Sequence, residues 1–205
     1  MNQRVTRWVR TLAAAAVIAG LPGLGYAEMA RFNVDLDHSI VGFDVAHMVV
    51  SRTTGRFTDF QGSVVMDPDT KEFKAIDAVI RTKSVNTNNK KRDDHLQSPD
   101  FFDVAKYPTM AYKMKSFSKT GDQYTAIGDL TLRGVTKEIT LTGTFNGTVA
   151  DPGGNIRVGF TGEGTINRKD FGMHWTKTLD KGGLVVGDTV KIKLEIEGIQ
   201  EKKKN

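Results

Sequence analysis

The chain has 205 residues with 29 Lys and Arg against 24 Asp and Glu, a formal charge of +5, and no cysteine. The missing cysteines exclude a disulfide scaffold and a cysteine-anchored lipoprotein, so stability has to come from an apolar core. Three of the arginines fall in residues 1–27, which hold no acid, so without that segment the charge drops from +5 to +2; no basic face interleaved with aromatics is left to suggest a nucleic-acid binder.

Arg4, Arg7 and Arg10 precede a short apolar run, Leu12 to Leu21, which Pro22-Gly23 breaks before Gly25-Tyr26-Ala27. This order is that of a secretory signal peptide over residues 1–27, with cleavage expected after Ala27. A membrane anchor is the alternative, but the run is about half of the roughly 20 residues that span a bilayer. Residues 28–205 then suit a single domain, with no Pro- or Ser-rich linker and no internal repeat.

Along that domain, apolar residues recur with period two, which is the mark of half-buried strands. Val41, Phe43 and Val45 alternate with Gly42, Asp44 and Ala46. Phe57 to Met66 is a second run, with a bulge or bend expected at Gly62. Asp67-Pro68-Asp69 makes a turn into the alternation of Ile76, Ala78 and Ile80. Arg92 to Asp103 interrupts the pattern with a charged and then aromatic excursion, Arg92-Asp93-Asp94-His95 followed by Phe101-Phe102. Within it Ser98-Pro99-Asp100 reads as a helix start, a Ser cap with Pro in the first helical position.

After Pro108 the alternation returns, placing Met110, Tyr112, Met114 and Ser116 on one face and Ala111, Lys113, Lys115 and Phe117 on the other. Gly121-Asp122 turns into Tyr124–Leu132, Arg133 to Lys137 is a tight connection, and Asp151-Pro152-Gly153-Gly154 separates Glu138–Val149 from Ile156–Asn167. The last strand puts Val190, Ile192, Leu194 and Ile196 on one face and Lys191, Lys193, Glu195 and Glu197 on the other. Such regular strands predict an antiparallel sandwich or barrel of about eight strands. Small residues among the apolar positions (Gly42, Ala78, Gly128, Gly143, Gly162) favour a cavity over a solid interior.

Catalytic and metal motifs find little support. His38, His47, His95 and His174 form no close ligand pair, so no metal and no cofactor are expected. There is no Gly-x-Ser-x-Gly elbow, and Gly162-Glu163-Gly164 lacks the context of a dinucleotide site. Asp93, Asp94 and His95 are read first as an ion-paired helix fixing a loop, and only second as an acid/base group. The Arg92/Asp93/His95 cluster and the Arg168-Lys169-Asp170-Phe171-Gly172 segment each set charge beside aromatics, which is the composition of an apolar pocket with a polar mouth. An amphiphile with its head near Arg92 or Arg168 would fit, and so would a closed barrel end with no ligand. The tail residues Lys202, Lys203 and Lys204 read as a solubilising end, with transient contact to a membrane surface as the alternative.

Several ordered segments go further. They run from Asp37-His38-Ser39 and Gly55-x-Phe57-x-x-Phe60-x-Gly62, through Ser84-Val85-Asn86-Thr87 and Arg92-Asp93-x-His95-Leu96 with Asp100-Phe101-Phe102-Asp103 and Tyr107-Pro108. They continue with Gly128-Asp129-Leu130-Thr131-Leu132-Arg133-Gly134-Val135-Thr136-Lys137 and Ile166-Asn167-Arg168-x-Asp170-Phe171-Gly172. On these residues the chain resembles the YceI-like proteins, a bacterial periplasmic polyisoprenoid-binding family, over nearly all of 28–205. Asn86 stands where the family often has Asp, and the Lys-rich tail is additional.

The resemblance implies a lipocalin-like antiparallel barrel with a short helical lid segment and an elongated apolar cavity. It also implies a long-chain amphiphile (isoprenoid quinone, polyprenyl phosphate or fatty amide) as ligand, no catalytic residues, and often a homodimer. The expected function is a periplasmic binding or carrier protein. Phe43, Val45, Phe57, Phe60, Ile80, Leu130, Phe160 and Ile166 are expected to hold the tail, and Phe101, Phe102, Phe171 and Trp175 to lie near the entrance with Arg92 and Arg168. The rival readings are a structural stress-response protein with a filled barrel, and an enzyme acting on the same lipid through His95 or His174 with Asp93.

Overall fold

The computed structural model describes residues 29–48, 50–178 and 184–202; the expected signal peptide, Lys203 and Lys204 lie outside them. Period-two alternation becomes eleven strands, of which several are halves of longer staves. β1 (Ala30–Val34) and β2 (Ile40–His47) form one bent stave, and β3 (Ser51–Phe57) and β4 (Phe60–Met66) form the next. β5 (Phe73–Arg81) continues through a 3₁₀ turn, Thr82–Ser84, into β6 (Val85–Asn86). β7 (Thr109–Thr120), β8 (Gln123–Leu132), β9 (Val135–Ala150), β10 (Ile156–Asn167) and β11 (Val186–Gln200) complete the set. Each stave is antiparallel to its neighbour in the chain, and the eighth returns to the first, giving a closed antiparallel barrel among the described residues.

Closure depends on β11. Along one side it pairs with β10 over most of its length, from Asn167↔Thr189 to Arg157↔Ile199. On the other side it pairs first with β2 (Val190↔Val45, Ile192↔Phe43, Leu194↔Val41) and then with β1 (Gly198↔Val34, Gln200↔Phe32). Between these two pairings Asp35–Ser39 bulges out of the ladder, and its polar groups satisfy Glu197: Asp35 N–H donates to Glu197 O at 2.8 Å, and Glu197 N–H donates to Ser39 Oγ at 2.9 Å.

Arg157 on β10 lies across this seam. Its Nη1 donates to Asp35 Oδ2 at 2.7 Å and also to Glu197, while Nε donates to Asp151 Oδ2 at 2.8 Å. Burial pushes the Asp35 carboxyl up, but hydrogen bonds from Arg157 and His38 outweigh it and leave it below its ordinary value. Asp151 is lowered by Arg157 first and Asn155 second.

β1, β6 and nearly all of β3 fall outside the runs that alternation identifies, and two further strand details depart from sequence expectation. The second stave bends at Thr58-Asp59, between β3 and β4, and not at Gly62, which pairs in register with Ala78. A Cβ at Gly62 would lie 2.8 Å from Asp77 O, so this glycine serves close packing between strands. In β7 the register shifts between Met114 and Ser116, so Lys115 is the extra residue of a bulge and Phe117 returns to the inner face opposite Ala126. A strict alternation puts Phe117 outside because one inserted residue reverses the phase of everything beyond it.

The helix α1 (Lys90–Gln97), the one α-helix among the described residues, also begins earlier than Ser98. Asn89 is its cap, accepting from Arg92 N–H at 3.1 Å, and Ser98 ends it with ψ 170°. Pro99 forces the preceding residue out of helical conformation, so the Ser-Pro pair is a stop here. Two apolar clusters fill the barrel ends. One, at the α1 end, contains Phe57, Phe60, Ile80, Phe102, Leu132, Phe171 and Met173. The other contains Phe32, Val64, Met66 and Val158.

Because Asp35 and Asp151 are held below their unfolded values, their stabilising effect is complete above about pH 4 and fades as pH falls further. Arg157→Met is therefore expected to melt below wild type at pH 7 and to converge towards it between about pH 4 and pH 2. Thermal melts across that range check this; a gap that stays constant down to pH 2 shows that the seam owes nothing to these ion pairs.

Candidate functional site: an apolar tube closed by a lid segment

A cavity of about 290 Å³ runs inside the barrel, walled in part by members of the α1-end cluster such as Phe57, Ile80 and Phe102. Its wall on β8 runs from Tyr124 to Leu132, about 20 Å along the barrel axis once strand rise and tilt are allowed for. Inward positions of β2 (Val41, Phe43, Val45) and β11 (Val190, Ile192, Leu194, Ile196) form the opposite wall. The outer face of β11 is charged, as the alternation requires.

Several inward glycines are seats for large side chains. A Cβ at Gly128 would lie 2.7 Å from Tyr112 Cζ, one at Gly55 would lie 2.8 Å from Phe43 Cε1, and one at Gly164 would lie 2.7 Å from Leu141 Cδ2. The lumen left between these rings is narrow and long.

The wall presents almost no free polarity. Tyr112 Oη donates to Ala126 O at 3.2 Å, and burial pushes its phenol up to about 12. Among the described residues no buried side-chain polar atom lacks a partner. An unpaired polar group of a guest would lose its hydration in this lumen and gain nothing, which disfavours anything but an apolar chain.

Ten of the fourteen expected site residues line the tube: Phe43, Val45, Phe57, Ile80, Phe101, Phe102, Leu130, Phe160, Ile166 and Arg168. Phe60 and Phe171 are instead buried in the end cluster beyond it. Trp175 packs on Phe101 with ring centroids 5.4 Å apart without reaching the lumen. Arg92 is turned away: its Nε donates to Thr87 Oγ1 at 2.7 Å and its Nη2 to Thr87 O at 2.8 Å. Phe73, Phe117, Ile139, Leu141 and Met173 also line the tube. Placing Phe117 requires knowledge of the bulge, and Phe73 sits at a strand end where the alternation has barely begun.

Arg168 lines the tube but is not available to a head group. It is 2 % exposed. Its five hydrogen bonds reach Met173 O (2.6 Å), Trp175 O (2.8 Å), Gly187 O (2.9 Å), Val186 O (3.3 Å) and Asp188 Oδ1 (2.9 Å). Burial lowers its pKa, while Asp188 opposes that shift. The guanidinium holds two stretches of chain, 173–175 and 186–188, against the barrel end. Gly172 leads into the first of them with φ +77°, a conformation that suits glycine.

The lid side is fixed from a second direction. Arg133 (φ +52°) and Gly134 (φ +72°) form the two-residue β8–β9 turn, as its mirror-image turn geometry requires. Arg133 Nη1 donates to Pro99 O at 2.9 Å and also to Phe101 O. A Cβ at Gly134 would lie 3.0 Å from the Tyr107 ring.

The two charged and aromatic segments do meet: the His95 ring stands edge-on to Phe101 (5.0 Å) and to Trp175 (4.9 Å). Asp93 and His95 do not form a pair. Asp93 accepts from Thr87 N–H at 2.9 Å, and His95 Nε2 bonds Asp100 Oδ2 at 2.9 Å. Among the described residues one His and carboxylate group converges, Asp35, His38 and Glu197, with ligand atoms within 4.8 Å. The Arg157 guanidinium already lies against both of its carboxylates, so it reads as part of the seam.

Together these elements make a closed antiparallel barrel with a hollow, apolar, hydrogen-bond-saturated interior. The YceI-like domain model matches residues 32–198, and the chain belongs to the YceI-like family. A UPF0312 protein of Pseudomonas savastanoi pv. phaseolicola is 37% identical over 196 residues, covering 94% of this chain and 98% of that one. The crystal structure of a Campylobacter jejuni YceI protein matches with TM-score 0.66 and 35% identity over 77% of this chain and 90% of that one. A polyisoprenoid binding domain from Saccharophagus degradans shares the fold, with TM-score 0.60 and 16% identity over 83% of this chain and 98% of that one.

Arg168→Met removes the guanidinium donors to four carbonyls and one partner of Asp188. The expected loss is about 3 kcal/mol, in the range for breaking a buried charged network. Urea unfolding reads it as a lower midpoint at unchanged slope; a loss under about 1 kcal/mol would mean that water replaces the guanidinium without penalty.

Proposed function

We propose that this protein is a periplasmic carrier that sequesters the apolar tail of an isoprenoid lipid, a quinone or polyprenyl phosphate, inside the barrel. The observation that carries this reading is the tube itself: long, narrow, apolar, and without an unpaired polar atom among the described residues. The polyisoprenoid binding named for the Saccharophagus degradans domain supports an isoprenoid over other chains, and the signal-like residues 1–27 support export to the periplasm.

Ten buried methylenes supply on the order of 8 kcal/mol, enough for micromolar binding before the costs of association. A head group therefore needs only weak contacts at the tube's end, in keeping with arginines that are spent on the protein's own carbonyls. The apolar lining supports binding as the chemistry of the site.

Native mass spectrometry with organic extraction, on protein taken from a bacterial periplasm, is expected to show one long-chain isoprenoid per chain. Ala126→Phe, which puts a ring into the lumen, is expected to reduce that occupancy more than about tenfold while circular dichroism stays that of the barrel. Protein that emerges empty and takes up neither added ubiquinone nor polyprenyl phosphate would refute the carrier reading.

A further inference from the structure

The end of the tube away from α1 is closed by aromatic rings rather than by a loop. Phe73 is their hub, with centroids 4.8 Å from Phe117, 5.4 Å from Tyr124 and 5.1 Å from Phe160. All four rings face the lumen, and each comes from a different strand or strand end: β5, β7, β8 and β10. The plug thus spans the barrel and does not merely decorate one wall. Phe117 reaches it only because of the β7 bulge, which turns that residue inward opposite Ala126.

Phe73 and Phe160 pack on the end cluster of Phe32, Val64, Met66 and Val158, and two ammonium groups stand at the margin of the rings. Lys119 Nζ lies 5.3 Å from the Tyr124 centroid, and Lys71 Nζ lies 5.2 Å from that of Phe145, the ring that packs on Phe160. A chain advancing along the tube meets a wall of edge-on and tilted rings backed by that apolar cluster. Passing it means breaking ring–ring contacts and the close packing behind them.

Resting on the apolar-chain reading above, we infer that the Phe73–Phe117–Tyr124–Phe160 plug is a chain-length stop that sets the longest isoprenoid the barrel accepts whole. Chains shorter than the tube gain affinity with each unit. Chains longer than it must leave apolar carbons in water at the α1 end, or buckle within a lumen too narrow for a fold.

The test is a ladder of all-trans polyprenols, from farnesol upward one isoprene unit at a time, presented to delipidated protein. Wild type is expected to gain affinity with length up to a limit and to gain nothing beyond it. Phe73→Ala should move that limit to longer chains, tightening the first previously unrewarded length at least about tenfold, since each newly buried methylene is worth roughly fourfold. Phe73→Leu, which keeps most of the packing, should move it in the same direction by less and gives a reading if the alanine variant does not fold. Leu130→Ala removes similar volume from the side wall and should leave the limit where it is. A limit that ignores both Phe73 variants, or that moves as far in Leu130→Ala, overturns the stop while leaving the carrier intact. A wild-type barrel that binds no polyprenol of any length overturns both.

Discussion

The molecule depends on the closure of one sheet upon itself through β11. A single strand pairs with β10 along one edge and with β2 and then β1 along the other, so the sheet closes and its inward face has no exit sideways. Every other property derives from that geometry. The inward side chains must either meet across the axis or leave a tube, and a tube that is sealed laterally is accessible only at its ends. The point where closure changes partner is where the ladder bulges at Asp35–Ser39, and it is also where Arg157 gathers three carboxylates. The polar cluster that most resembles a metal site is thus explained by the need to tie a bulged seam.

Polar residues that look functional in the sequence are largely structural. Arg92 and Asp93 both bind Thr87, Arg133 holds the carbonyls that precede Phe102, and Arg168 saturates the carbonyls of two segments. These are the residues on which the family resemblance rests. Each performs a task with strict geometry: a planar fork reaching several carbonyls, or a glycine at positive φ in a two-residue turn. The tube wall has no such demands. A wall of Val, Ile, Leu and Phe tolerates exchange as long as volume is kept, so the motifs trace the scaffold of the lid end more clearly than the surface that meets the guest.

The division of labour between the ends reflects the same physics. At the α1 end, charge and backbone hydrogen bonds position Leu96, Phe101 and Phe102 over the lumen. At the far end, rings from four strands meet one another directly. One end is held by directional bonds that specify a geometry, the other by ring packing that specifies a shape.

The sequence by itself determined most of the strands with their inward and outward faces, and the turns at Asp67, Gly121, Arg133-Gly134 and Asp151, because each of these is a local pattern of period two or of turn chemistry; β1 and β6 are too short, and β3 too polar, to register in that pattern. Most of the lining is legible for the same reason: Phe43, Val45, Leu130 and Ile166 face inward wherever the alternation is unbroken. Where a single residue is inserted, as at Lys115, the alternation misplaces the rest of the strand and assigns Phe117 to the wrong face. The helix start is misread because Ser-Pro both opens and stops helices, and the choice rests on whether Asn89 has already capped the turn before it. Only the tertiary structure decided that the barrel is hollow, that Arg92 turns to Thr87 and Arg168 is consumed by the protein's own carbonyls, and that Phe60 and Phe171 fill one end while Phe73 closes the other. Those outcomes are set by which residues meet across the axis, at sequence separations that no local pattern encodes.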